Sequence, residues 1–170
     1  MRLLVALKAL LFVVLLPGVV AVYVPWHIMH ASHSFGVPPR NVSTIAAALV
    51  VAIGAVVLLR CVWDFLAAGH GTLAPVDPPR RLVVRGLYRY TRNPMYNGVL
   101  AMILGQAWLF RSPALVAYAL GVFAINHLFV VLYEERTLAS RFGDAYLAYR
   151  RAVPRWGFTR RPYRHVDPGA

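Results

Sequence analysis

Residues 93–135 read NPMYNGVLAMILGQAWLFRSPALVAYALGVFAINHLFVVLYEE, and this run sets the architecture. It contains two uncharged apolar segments, residues 95–110 and 112–133, with only Arg111 between them. A helix needs about 20 apolar residues to cross the hydrocarbon core of a bilayer. A polar residue followed by proline stands at the start of each segment, Asn93-Pro94 for the first and Ser112-Pro113 for the second. Such a pair suits a helix N-cap and first turn. Because the turn between them is so short, the two segments are predicted to form an antiparallel helical hairpin.

Two more apolar runs lie upstream of this hairpin. Residues 3–24 contain one charge, Lys8, and residues 42–59 contain none. Hydrophobic residues make up 59% of the chain and charged residues 14%, against about 25% charged residues in a soluble domain. The first run is longer than the apolar core of a signal peptide, so we expect an uncleaved anchor.

We therefore predict an all-α fold, a polytopic membrane helical bundle that forms a single domain over residues 1–170. It should also have an ordered cytoplasmic loop and an amphipathic C-terminal segment. The four transmembrane helices are expected at about 3–24, 44–66, 95–110 and 113–133.

The net charge of +12 is distributed unevenly along the chain. Five arginines lie between the second and third spans and eight follow the fourth, whereas the other two connections carry one each. Because basic loops stay in the cytoplasm, a multi-pass protein with cytoplasmic N- and C-termini is expected. This distribution favours a lipid bilayer over nucleic acid as the partner of the basic segments. The two basic groups are Arg80, Arg81, Arg85, Arg89 and Arg92, and Arg136, Arg141, Arg150, Arg151, Arg155, Arg160, Arg161 and Arg164.

Two smaller patterns allow a structural or a functional interpretation. His27, His30 and His33 have a three-residue spacing that could form a metal site on a helix, but no carboxylate or cysteine accompanies them. We interpret them as part of a polar interfacial loop and predict no metal. Arg60 and Asp64 stand four residues apart near the inner end of the second span, so they can pair and anchor that helix.

The hairpin should bring the start of the third span and the end of the fourth to one cytoplasmic mouth. The free backbone N–H groups at the start of the third helix favour an anion, since the N-terminus of a helix is its positive pole. The carboxylates of Glu134 and Glu135 favour a cation. Alternatively, both glutamates pair with surrounding arginines, and charge alone favours that interpretation.

Three polar residues, Gln106, Asn126 and His127, lie inside the last two spans. Polar residues at membrane depth usually face the interior of a bundle or a cavity. They could contact a substrate there, or they could form hydrogen bonds between helices.

Two motifs around the hairpin resemble those of one enzyme family. The stretch GLYRYTRNPMYNG, residues 86–98, resembles the G-x-Y-x-x-x-R-H-P-x-Y-x-G signature of the isoprenylcysteine carboxyl methyltransferase family. Residues 134–154 resemble that family's E-E-x-x-L-x-x-x-F-G-x-x-Y-x-x-Y-x-x-x-V-P ending. Gly69-His70-Gly71-Thr72, with Pro75, is similar to the loop before the signature in bacterial members. The resemblance covers residues 69–155, about half of the chain.

This resemblance implies a methyltransferase that binds S-adenosylmethionine between the loop and the last two helices, without a metal. By position, Arg92 would orient the acceptor or the cofactor carboxylate, and Glu134 or Glu135 would serve as base for an amine acceptor. The residues it places against the cofactor are Gly71, Tyr88, Arg92, Asn93, Pro94, Tyr96 and Glu134. Those expected to contact the substrate are Gln106, Asn126, His127, Tyr146, Tyr149 and Arg155.

The acceptor is less well defined than the cofactor. Asn93 stands where the family often has histidine, and the Asn-Pro-Met-Tyr run also resembles phospholipid N-methyltransferases. We expect a lipophilic acceptor at the cytoplasmic face, either the carboxylate of a prenylated thiol acid or similar group, or a phospholipid amine. Two other functions stay open: a membrane reductase that uses NADPH on a lipid, and a small transporter or scaffold without enzymatic activity.

Overall fold

The computed structural model describes residues 17–32, 41–68, 82 and 84–163, and these residues form helices, turns and loops without a strand. Predicted features outside those ranges, including most of the first span, His33 and Gly71, lie beyond the described residues. The helices are α1 (Val24–Ala31), α2 (Val42–Ala68), α3 (Pro94–Leu109), α4 (Pro113–Phe129) and α5 (Glu135–Ala152). A π-helical turn, Val19–Tyr23, leads into α1, a second, Val130–Glu134, joins α4 to α5, and Gly86–Arg89 form a 3₁₀ turn.

Two of the described helices are long and apolar enough to cross a membrane. They are Val42–Asp64, which makes up most of α2, and the segment Pro113–Ala152, which includes α4 and α5 and whose apolar part ends at Tyr133. Little of either helix is buried within the chain, and large apolar side chains cover their outer surfaces. Exposed apolar surface of this extent is typical of contact with lipid. It includes Ile45, Leu49, Ile53, Val56 and Leu59 on α2 and Leu120, Ile125 and Leu128 on α4.

The helix that ends the first predicted span is longer than expected. A loop was predicted from Pro25, but the helix continues to Ala31. Pro25 has no N–H, so the carbonyl of Ala21, four residues earlier, lacks its usual helical donor. The side-chain amide of Gln106 donates to that carbonyl at 2.7 Å instead. This replacement allows the helix to pass through the proline.

Helices α2 and α3 pack with their backbones in contact. A Cβ atom added to Gly54 would lie 2.7 Å from the carbonyl oxygen of Gly98, and one added to Gly98 would lie 2.9 Å from that of Gly54. Seven residues after Gly98, a Cβ on Gly105 would lie 2.7 Å from the side chain of Val51. Small residues of this kind let membrane helices approach closely. The close approach places the C-terminal end of α2 beside the start of α3.

The helical hairpin predicted from the two proline-capped runs is present. Pro94 and Pro113 occupy the first turns of α3 and α4, and the hydroxyl of Ser112 accepts the backbone N–H of Leu115 at 3.4 Å. Asn93 stands at the predicted N-cap position, but its side chain forms no capping hydrogen bond to α3. Its amide donates to the carbonyl of Arg155 at 3.1 Å, because the C-terminal segment returns over this end of the hairpin.

The chain turns back at Gly143, which lies in the second family-like motif. Gly143 has φ 50° and ψ −128°, and this non-helical conformation bends α5 sharply. The part of α5 after the bend turns Tyr146 and Tyr149 inward, against a cluster that includes Val84 and Phe142. Arg150 and Arg151 remain exposed on the other side. The bend therefore sends the C-terminal segment back towards the start of α3.

Candidate active site

The two ends of the hairpin meet at one patch, as the short turn predicted. The Tyr96 hydroxyl, in the first turn of α3, donates to Oε2 of Glu134 at 3.4 Å. Nη1 of Arg92, just before α3, lies 2.8 Å from Oε1 of Glu135. Because Glu134 and Glu135 are consecutive on a helix, their side chains point about 100° apart, and each meets a different environment.

Glu135 is enclosed by three arginines. Arg155 donates to both of its carboxylate oxygens, at 2.5 and 2.9 Å, and Arg150 lies 3.7 Å away. Together with Arg92 they leave the Glu135 side chain only 7% exposed. Burial alone would raise the pKa of Glu135, but the hydrogen bond from Arg155 and the three positive charges hold it below its ordinary value. For Glu135, the structure therefore shows the arginine pairing that charge alone favoured, which makes it a poor candidate for a base.

Arg92 fastens the C-terminal segment to the start of α3. Its Nε donates to the carbonyl of Val153 at 3.0 Å, and its backbone N–H donates to the carbonyl of Pro154 at 2.9 Å. Nη1 of Arg92 also reaches the Tyr146 hydroxyl at 3.3 Å. The side chain is 10% exposed. We call Arg92, Glu135, Arg150 and Arg155 the arginine cluster; it joins the two family-like motifs into one unit.

Glu134 has a different environment from its neighbour. Of the described residues, none forms an ion pair with it, and its one hydrogen bond comes from Tyr96. Burial raises the pKa of the Glu134 carboxyl to about 7; the hydrogen bond from Tyr96 and the charge of Arg92 act in the opposite direction. A half-buried carboxyl in this state is suited to bind a cation or to exchange a proton near neutral pH.

Tyr88 lies between this carboxyl and helix α2. It belongs to the 3₁₀ turn that begins at Gly86, and its carbonyl accepts the Tyr149 hydroxyl at 2.7 Å. Burial, followed by the neighbouring Cys61 and Glu134, holds the pKa of Tyr88 well above its ordinary value. Tyr88 therefore stays a neutral phenol.

Trp156 is a member of this patch that the sequence motifs did not identify. Its indole N–H donates to Nδ1 of His127 at 3.0 Å. The same ring lies 5.2 Å from Phe123 and 6.4 Å from Tyr96, measured between ring centroids. Trp156 follows directly after Arg155, so the arginine cluster carries it over the ends of α3 and α4. It connects His127, expected to contact substrate, to Tyr96, expected to contact cofactor.

The other predicted site residues have different surroundings. Tyr146, Tyr149 and Arg155 belong to the packing and ion pairs that hold the C-terminal segment. Gln106 lies 12 residues beyond Pro94, roughly 18 Å along α3, and makes the bond between helices to Ala21. Asn126 precedes His127 and is half-buried. Their roles towards a cofactor or substrate stay predictions.

The histidines of α1 do not form a metal site in the part of the chain that is described. His27 packs edge-on against Trp26 and Tyr23. His30 packs against Trp26, and its Nδ1 lies 3.3 Å from the Trp26 carbonyl oxygen. His27 and His30 lie in α1, so the prediction of a loop at these two residues is wrong; their interfacial position stays a prediction.

Comparison with known proteins places this geometry in context. The model of the family described as phospholipid methyltransferase matches residues 42–145, more than half of the chain. Over 76 residues the chain is 38% identical to Protein-S-isoprenylcysteine O-methyltransferase of Schizosaccharomyces pombe. That match covers 43% of this chain and 31% of the yeast protein, so the chain spans about a third of the length of that relative. No solved structure matches the chain.

Proposed function

Because the chain belongs to the phospholipid methyltransferase family, we propose that it is a membrane enzyme that transfers a methyl group from S-adenosylmethionine to a lipophilic acceptor. The reaction would take place at the cytoplasmic mouth of a four-helix bundle, with both termini in the cytoplasm. The basic loop and tail support this orientation, since such segments stay on the cytoplasmic side. The lipid-facing surfaces of α2 and α4 support entry of the acceptor from the bilayer.

The observation that carries the proposal is the difference in charge environment between the two glutamates. In the arginine cluster, three arginines face the single carboxylate of Glu135, so the cluster keeps a surplus of positive charge. Next to it, Glu134 has no arginine within ion-pair distance among the described residues. The patch therefore offers one positive and one negative area, adjacent to each other.

This charge pattern fits the amino acid end of S-adenosylmethionine. Its carboxylate would lie towards the arginine cluster, and its ammonium or sulfonium charge would lie towards Glu134 and Tyr96. When bound, the cofactor would supply a methyl group from its sulfonium sulfur to an acceptor atom that approaches in line with the carbon–sulfur bond. Trp156 and Phe123 would cover the patch and limit access of water. Aromatic faces also attract a cation, so they favour the sulfonium at this position.

The protein's own groups serve either kind of acceptor. An acceptor carboxylate is ionised at neutral pH and needs no base, and the surplus charge of the arginine cluster would orient it. An amine acceptor must lose a proton, and Glu134, with a pKa near 7, would take it. Glu135 is unsuited to this role because three arginines already hold its charge.

The proposal is tested by incubating the purified protein, in lipid nanodiscs, with methyl-labelled S-adenosylmethionine and membrane lipid extracts. Mass spectrometry should find the label in a lipophilic product. The demethylated cofactor should appear in an amount equal to that product. Glu134→Gln should lose this activity, whereas the matched variant Asp144→Asn, at an exposed carboxylate on α5, should keep it. Binding of NADPH in place of S-adenosylmethionine would contradict the proposal and favour a reductase.

A further inference from the structure

Asp64, at the inner end of α2, has a buried carboxylate oxygen without a hydrogen-bond partner. The side chain is 4% exposed, and its Oδ1 lies 3.4 Å from Nη2 of Arg60. Its Oδ2 is the buried side-chain oxygen for which the described residues provide no partner. A buried acceptor left in this state is unfavourable, so a native structure needs a reason to keep it. A ligand that donates a hydrogen bond would provide that reason.

The unpartnered oxygen points at the start of the family-like signature. A Cβ atom added to Gly86 would lie 2.0 Å from Oδ2 of Asp64, so only glycine allows the carboxylate to reach this position. Gly86 also has φ +53°, a conformation that favours glycine. It begins the turn that carries Tyr88, which Cys61 and Glu134 also approach. Asp64 and Glu134 therefore border the same turn from two different helices.

From this arrangement we propose that Asp64 binds the cofactor, with Oδ2 accepting a hydrogen bond from a ribose hydroxyl. The inference rests on the proposed function and names a further binding residue for the same site. A neutral donor suits Asp64 because Arg60 already lies beside its other oxygen. The cationic end of the cofactor suits Glu134 better, since no described arginine pairs with it. Acidic side chains hold ribose hydroxyls in this way in dinucleotide-binding enzymes.

The competing explanation is that Asp64 only holds the Gly86 turn in place. Both explanations predict that a change at Asp64 weakens binding, so loss of affinity alone does not separate them. They differ in what happens when the hydroxyl is removed from the ligand. If the hydrogen bond is direct, the loss of affinity on changing Asp64 and the loss on removing the hydroxyl are not additive, because the same interaction is absent in both cases. A purely structural role leaves the two losses independent.

The test measures binding of S-adenosylhomocysteine and its 2′-deoxy and 3′-deoxy analogues by calorimetry, using full-length protein in nanodiscs. Wild-type protein should bind the parent ligand at least about tenfold more tightly than one of the deoxy analogues, as expected for a hydrogen bond to a charged acceptor. Asp64→Ala should bind the parent and that analogue equally well. The exposed carboxylate variant Asp144→Ala should keep the wild-type preference. Asp64→Val, which also lacks a hydrogen-bonding group, supplies the same comparison if the alanine variant does not fold.

Two results would overturn the inference. Asp64→Ala could keep the full preference for the hydroxyl; if it also weakens all three ligands by the same factor, Asp64 supports the turn only. Wild-type protein could also bind S-adenosylhomocysteine without distinguishing it from either deoxy analogue. Failure of the proposed function looks different, because wild-type protein would then bind none of the three ligands.

Discussion

Replacing Glu135 with glutamine tests whether the arginine cluster holds the C-terminal segment in place. The substitution keeps the shape of the side chain but removes the charge that faces Arg92, Arg155 and Arg150, at 2.8, 2.5 and 3.7 Å. Arg92 is 10% exposed and Arg155 26% exposed, so both would be left with little water around an unpaired charge. Glu134→Gln, one residue earlier, is the matched control.

The expected loss of unfolding free energy for Glu135→Gln is about 2–3 kcal/mol. Breaking a fully buried ion pair costs roughly 3–5 kcal/mol. The lower figure applies because solvent screens Arg155 in part, and because the half-exposed Arg150 contributes little, as surface pairs do. Glu134→Gln should lose less than about 0.5 kcal/mol, since it removes no ion pair. Thermal unfolding in detergent, together with the rate of tryptic cleavage in the C-terminal segment, measures both effects.

The dependence on pH should also differ between the two glutamates. The pKa of Glu135 is lowered on folding, so its contribution to stability is present above the ordinary carboxyl pKa and is lost as pH falls through the lower folded value. The pKa of Glu134 is raised to about 7, so its contribution is present at acid pH and is lost as pH rises through 7. Equal stability losses in the two glutamine variants, or none in Glu135→Gln, would refute this account.

Three further predictions concern the cofactor, the aromatic contact and the helix packing. Affinity for S-adenosylhomocysteine should rise roughly fifteenfold between pH 5.5 and 7.0 as Glu134 ionises, and calorimetry should find no such rise in Glu134→Gln. Trp156→Phe should lower the unfolding free energy by about 1 kcal/mol through loss of the bond to His127, and a double-mutant cycle with His127→Ala should recover that coupling. Gly54→Ala should cost about 1–3 kcal/mol where α2 and α3 touch, whereas Gly121→Ala, with open space around it, should be neutral or stabilising in the same unfolding assay.

The helices themselves could be predicted from local sequence because their causes are local. Uncharged runs indicated α2, α3 and α4, and proline after a capping residue marked the starts of α3 and α4. The predicted starts and ends lie within a few residues of those observed. The error at Pro25 has a cause that is not local. The helix continues through it because Gln106, 81 residues later, supplies a hydrogen bond to the carbonyl that the proline leaves free.

The candidate active site also has features that local sequence predicts and features that only long-range packing determines. The residue types and their spacing indicated that Arg92, Glu134 and Glu135 would meet at one end of the hairpin, since a short turn between two long helices has that consequence. Which glutamate meets the arginines depends on the path of the chain after Gly143, where a bend returns Arg155 and Trp156 to the start of α3. Asp64 faces Gly86 for a similar reason, the close contact of α2 and α3 through their glycines. Local sequence determines where helices form and which residues share an end, whereas long-range packing determines which of two adjacent carboxylates is neutralised and which stays available to a ligand.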